Sequence, residues 1–137
     1  MYFHQINILK WGSSFLKNYI VTGSILAFLA VALGAFGSHI IQDTLTEERY
    51  STYQIAVQYH LFGSLAVLIV AVFMDKLPGS TILWAGRMLV VGTAIFPGSI
   101  YILSLTDIGI FGALAPIGGT SFLIGFLLVC IAALKQK

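Results

Sequence analysis

Residues 20–40 read IVTGSILAFLAVALGAFGSHI, a run without a single Asp, Glu, Lys or Arg. Coiled as an α-helix with a rise of ~1.5 Å per residue, such a run is about 31 Å long. That matches the ~30 Å hydrocarbon layer of a bilayer. The run lacks the period-two alternation of a membrane β-strand, so a β-barrel is not supported. It also exceeds the ~7–15-residue apolar core of a secretory signal, and it reads as a retained span.

Three further runs carry almost no charge: residues 55–74, 83–105, in which Arg87 is the one charged residue, and 111–134. The connections between the four, residues 41–54, 75–82 and 106–110, are short. Short connections force neighbouring helices to run antiparallel. The expected fold class is an all-α membrane protein, a four-transmembrane-helix up-down bundle over residues 19–137.

Composition agrees. Of 137 residues, 9 % are charged and 58 % hydrophobic, against roughly 25 % charged in a soluble domain. So few charges cannot cover the surface of a soluble monomer, and disorder needs the opposite composition. The length allows one domain. A net charge of +2 is too small and dispersed for a nucleic-acid footprint. The lone Cys130 has no CxxC or Cys/His cluster around it, so no metal site is expected. No GxGxxG, GxxxxGK[ST] or HExxH occurs, and no cofactor is implied.

Six of the seven cations, Lys10, Lys17, Lys76, Arg87, Lys135 and Lys137, fall on the side of the termini and the second connection, while Arg49 falls opposite. The positive-inside rule then places both termini in the cytoplasm of a multi-pass protein of the bacterial inner (plasma) membrane. Arg87 lies just inside the third span and can snorkel to the headgroups. Residues 1–18, with Tyr2, Phe3, Ile6, Leu9, Trp11 and Phe15 among polar neighbours, read as an amphipathic arm on the cytoplasmic face. On the opposite side Thr46-Glu47-Glu48 has the form of a helix start, a hydroxyl cap followed by carboxylates in the first turn. The second helix should therefore begin near Glu47.

Depth sorts the remaining polarity. Gly34, Gly37, Ser38 and His39 lie in the outer half, as do Gln58, Tyr59, His60, Gly63 and Ser64. Pro97, Gly98, Ser99 and Tyr101 lie at the same level, with Pro116, Gly118, Gly119, Thr120 and Ser121. The inner ends of the second and fourth spans are almost purely aliphatic. Ala30-x-x-x-Gly34, Ala94-x-x-x-Gly98 and Ala115-x-x-x-Gly119 are small-residue faces suited to close helix packing. Pro97 and Pro116 each remove a backbone donor and free the carbonyl four residues earlier, those of Thr93 and Gly112. Two readings of this layer stand side by side. In one, Gly34, Gly37, Pro97, Gly98 and Pro116 pack helices, and the polar side chains satisfy one another and the kinked backbone. In the other, His39, Tyr59, His60, Ser99, Tyr101, Gly118 and Gly119 line an outward-facing ligand site, with the two histidines as its ionisable members.

The motifs also resemble a known family. Val31-Ala32-Leu33-Gly34-Ala35-Phe36-Gly37-Ser38-His39 is similar to the GAFGAH signature of the domain of unknown function 423 family of small membrane proteins. Ala56-Val57-Gln58-Tyr59, Pro97-Gly98-Ser99-Ile100-Tyr101 and Ala115-Pro116-Ile117-Gly118-Gly119 follow in that family's order and spacing, over about residues 19–135. The resemblance implies a four-span inner-membrane protein and brings no established reaction. This chain departs from the family pattern at Gly63, where a His usually stands, at Pro97, where a Ser usually stands, and in a longer N-terminal extension.

Three functions are open on the sequence. The leading one is a non-enzymatic accessory or scaffold subunit of a membrane complex, in contact with membrane lipids and with protein partners or further copies of itself. The alternative is a small oligomeric permease or channel, or a lipid or small-ligand binder using the polar outer site. The weakest is an intramembrane enzyme, since no nucleophile pairs with a base at a recognisable spacing.

Overall fold

The computed structural model describes the backbone of residues 2–77 and 79–136 and the side chains of residues 14–77 and 79–136. Four helices account for nearly all of it: α1 (Tyr2–Phe36), α2 (Glu47–Lys76), α3 (Ser80–Thr106) and α4 (Ile110–Leu134). A π-helical turn, Gly37–Ile41, extends α1 by one turn. All four helices contain a stretch long and apolar enough to cross a membrane. The helices overrun the expected spans by a few residues, and the connections shrink to residues 42–46, 77–79 and 107–109. The segment read as an interfacial arm is helical from Tyr2 and continuous with the first span. Its apolar face up to Ser13 lies outside the described side chains.

Helix ends follow local chemistry. Thr46 caps α2 as expected, its hydroxyl accepting the Arg49 N–H at 3.4 Å, with Glu47 and Glu48 in the first turn. Gly79 opens α3 at φ 124°, a conformation that favours glycine. Asp107 closes α3 in the left-handed region at φ 60°, its N–H donating to the Leu103 carbonyl at 2.8 Å. Two ends of the bundle can be distinguished. The terminal end carries the chain termini and the α2–α3 connection. The distal end carries the α1–α2 and α3–α4 connections.

Extended packing links sequence neighbours: α1 with α2, α2 with α3, α3 with α4. The core lies along α3, where Ile82, Ala85 and Leu89 meet Val67 and Val70 of α2 and Phe122 of α4. Glycines set the spacing. A Cβ on Gly92 would stand 3.0 Å from the backbone nitrogen of Phe122, and one on Gly118 would stand 2.7 Å from Cα of Phe96. On the other side of the bundle Gly23 faces Leu68, Gly34 faces Val57 and Gly37 faces the ring of Tyr53. Gly98 differs: a Cβ there meets nothing within 4 Å.

This contrast is testable by reversible unfolding in mixed micelles followed by circular dichroism. Gly118→Ala drives a methyl into the α3 backbone, and the expected loss is about 1–3 kcal/mol. Gly98→Ala enters open space, so the expected change is zero or a gain of about 0.5–1 kcal/mol from helix propensity. Equal effects at the two positions would contradict the close approach of α3 and α4.

Candidate functional site

The distal half of the bundle is built around one face of α2. Arg49, Tyr53, Ala56, His60, Gly63 and Val67 recur every three or four residues, so they share a face. From Tyr53 to Val67 that face is buried. The Tyr53 hydroxyl donates to the Leu33 carbonyl of α1 at 2.6 Å. Its ring stands edge-on to that of Tyr101 on α3, with centroids 5.2 Å apart. The Tyr101 oxygen lies 3.3 Å from Nδ1 of His60. Either imidazole tautomer can make this bond, as donor or acceptor. Nearer the distal end the Arg49 Nε–H donates to the Ser104 carbonyl at 2.8 Å. These bonds tie α2 to both neighbours at the level where the sequence concentrates its polarity.

The serine and threonine hydroxyls in this layer are engaged. Ser64 donates to His60 O at 2.6 Å, Thr93 to Leu89 O at 2.7 Å and Ser99 to Phe96 O at 2.9 Å. Thr120 donates to Pro116 O at 2.8 Å, while Ser121 crosses from α4 to the Met88 carbonyl of α3 at 2.7 Å. The carbonyls of Thr93 and Gly112, freed by the prolines, are not the acceptors of these bonds. Among the described residues no group of three His, Cys, Asp or Glu could hold a metal ion. No buried side-chain nitrogen or oxygen among them lacks a partner.

The residues singled out by depth therefore separate by direction. His60 is 7 % exposed and bonded to Tyr101, whereas His39 is exposed on the π-helical turn. His39 follows Gly37 by two residues, roughly half a turn of an i→i+5 helix. Since Gly37 packs on Tyr53, that half turn carries His39 away from α2. Ser99 is buried within α3, and Gly118 is pressed against Phe96. Pro97 is buried, Pro116 exposed and Gly98 partly open. Tyr59 and Gly119 turn to a different place altogether.

That place is an apolar groove of about 820 Å³ between α2 and α4, open on one side. Phe62, Ile69 and Phe73 of α2 form one wall, and Phe122 and Phe126 of α4 the other, with Phe96 of α3 between them. Aromatic rings follow one another along it. Tyr59 stands edge-on to Phe96 at 4.9 Å, Phe96 edge-on to Phe122 at 6.1 Å, and Phe122 is stacked with Phe126 at 6.3 Å. The groove was not foreseen from the sequence. Its signal was the i, i+3 or i+4 spacing of Tyr59 with Phe62, Ile69 with Phe73, and Phe122 with Phe126, hidden within uniformly apolar spans. A groove with this lining suits an elongated apolar occupant, with the Tyr59 hydroxyl as the one titratable group in its wall.

The histidines can be told apart by stability in micelles. Tyr53→Phe removes an interhelical bond and is expected to cost about 1 kcal/mol. A double-mutant cycle between His60→Ala and Tyr101→Phe is expected to give a coupling of about 0.5–1.5 kcal/mol. His39→Ala should stay within about 0.5 kcal/mol of the parent. A destabilisation by His39→Ala as large as that of His60→Ala would refute this division.

Comparison with known proteins agrees with the fold. The model of the family described as protein of unknown function (DUF423) matches residues 33–119. The chain is 40 % identical over 121 residues to the UPF0382 membrane protein YwdK of Bacillus subtilis, covering 88 % of this chain and 98 % of that one. It is 38 % identical to a UPF0382 membrane protein of Staphylococcus epidermidis, covering 88 % and 98 % respectively. It is 34 % identical to the UPF0382 inner membrane protein YgdD of Escherichia coli, covering 86 % and 90 %. These names assign no activity. No solved structure gives a significant match. With four membrane-length apolar helices and relatives named as membrane proteins, the chain is a multi-pass integral membrane protein, and it belongs to the DUF423 family.

Proposed function

We propose that this protein is a non-enzymatic accessory or scaffold subunit of a membrane complex, and that the α2–α4 groove receives a single transmembrane helix of a partner. The groove is the observation that carries this reading. Its α2 wall runs from Tyr59 to Phe73, about 21 Å of helix. That is most of a membrane crossing. α2 and α4 run in the same direction, so the groove lies along the helix axes. Ala66 and Gly119 within it allow close backbone approach. Its walls offer a polar solute only the Tyr59 hydroxyl, at the distal end. The packed centre, with Val67, Leu89 and Phe122 in contact, favours lateral binding over conduction.

The orientation belongs to the same proposal. Lys17, Lys76, Arg87 and Lys135 gather at the terminal end, and Arg49 is at the distal end. The positive-inside rule then puts both termini in the cytoplasm of a bacterial inner membrane. A second reading, an apolar lipid chain as the occupant, is favoured by the volume of about 820 Å³, which falls in the ~300–1,000 Å³ range of small-ligand sites.

A photoreactive residue at Leu123, on the groove wall and 73 % exposed, provides the test when compared with one at Phe28 of α1, 72 % exposed. In native membranes Leu123 is expected to give one discrete protein adduct that Phe28 does not give. Filling the groove with Ile69→Trp should reduce that adduct several-fold. Adducts with lipid alone at Leu123 would transfer support to the second reading. Protein adducts indifferent to Ile69→Trp, or a protein that purifies in gentle detergent with no reproducible partner, would overturn the accessory role.

A further inference from the structure

We propose that the crevice between α1 and α3 at the terminal end is a discrete binding site for the phosphate of an anionic glycerophospholipid, with Arg87 as the anion-binding group. The inference is independent of the α2–α4 groove.

Arg87 lies seven residues into α3, about 10 Å along the helix axis. That depth places it at the boundary between headgroups and hydrocarbon. An arginine so placed needs a counter-charge or a route to water. Among the described residues no carboxylate pairs with it. Its guanidinium instead lies 4.8 Å over the ring of Trp84, one turn nearer the terminal end. The Tyr19 side chain of α1 approaches it from across the crevice, with its hydroxyl 3.5 Å from the Leu83 carbonyl. Stacking on Trp84 occupies one face of the guanidinium and the Tyr19 hydroxyl accepts one of its N–H groups, while the five donors of the fork exceed these partners and leave N–H groups for a phosphate.

That fork opens onto a hollow of about 240 Å³ lined by Asn18, Tyr19, Thr22, Arg87, Val90 and Val91. The lining is graded by depth. Asn18, Tyr19 and Arg87 offer an amide, a phenol and a guanidinium near the terminal end. Val90 and Val91, a turn deeper on α3, are apolar. A phosphodiester with a hydrocarbon chain below it has this same gradation. A bare snorkelling arginine needs neither the second helix nor the apolar floor. Long-range charge acts in the same direction, because Lys17, Lys76 and Lys135 lie at this end and attract an anionic leaflet.

The test uses the purified full chain loaded with equal amounts of phosphatidylglycerol and phosphatidylcholine, with lipid retention read by native mass spectrometry. The parent is expected to retain one phosphatidylglycerol per chain, with a preference of about fivefold. Arg87→Gln should abolish the preference. Asn18→Ala leaves every charge in place and should lower retention about threefold through the lost hydrogen bond. Lys135→Gln removes a cation outside the hollow and should change little. Helicity by circular dichroism confirms that each variant is folded, and Asn18→Ala carries the test if Arg87→Gln is not. Three results would overturn the proposal. They are an unchanged preference in the folded variants, an equal loss with Lys135→Gln, and displacement of the lipid by millimolar inorganic phosphate.

Discussion

The close approach of α3 to its two neighbours is the constraint on which the bundle depends. In hydrocarbon there is no hydrophobic drive to bring helices together, because lipid tails are as apolar as leucine. Association must come from dispersion contacts, which fall away within an ångström or less of separation. Gly92 and Gly118 let α3 and α4 touch backbone to backbone, while Gly63 makes room on α2 for Thr93 and Phe122. Phe122 is thereby held between three helices and joins the core of Val67, Leu89 and Ile82. The groove follows from the same geometry. Once α2 and α4 are both drawn onto α3, the rings beyond Phe122 have no helix to cover them.

Polar side chains solve a different problem. A bilayer supplies no water to satisfy a stray donor or acceptor. Ser64, Thr93, Ser99 and Thr106 therefore bond back to carbonyls of their own helices. Polarity crosses between helices through long side chains on α2, Tyr53 to α1 and Arg49 and His60 to α3, and through the short Ser121 where α4 lies close to α3. Such bonds contribute modestly, about 0.6–2 kcal/mol each. They do, however, fix rotation. A one-residue slip of α2 would leave the phenol and the imidazole facing lipid.

The sequence disclosed depth well and azimuth poorly. Runs of ~20 apolar residues have one physical meaning in a bilayer, so the spans were legible, and Thr46-Glu47-Glu48 marked the start of α2 because caps act locally. Rotation about each axis is another matter. In a soluble helix the polar face reveals it; here all sides of α4 are apolar, and nothing in its composition says which phenylalanines meet α3. His39 and His60 share a depth for that reason and no common enclosure. Gly98 and Gly118 look alike in sequence, yet one faces open space and the other a backbone. The distinction exists only once the neighbouring helix is placed.

Function can be narrowed by asking which groups still have bonding capacity after folding. A site for a soluble solute needs donors and acceptors left free to receive it. In the polar layer Ser64, Ser99, Thr120, Ser121, the Tyr53 phenol, His60 and Arg49 are already engaged with carbonyls or with one another. What the fold leaves unmatched is of two kinds: an aromatic-walled apolar surface between α2 and α4, and the charge of Arg87 between α1 and α3, whose guanidinium meets only the neutral side chains of Trp84 and Tyr19. The first can be matched by a helix or a hydrocarbon chain, the second by an anion held at headgroup depth. Both belong to the membrane itself. Under the proposed function the chemistry of this chain is directed sideways, toward other components of the bilayer, and the polar layer that draws the eye in the sequence ties α2 to α1 and α3.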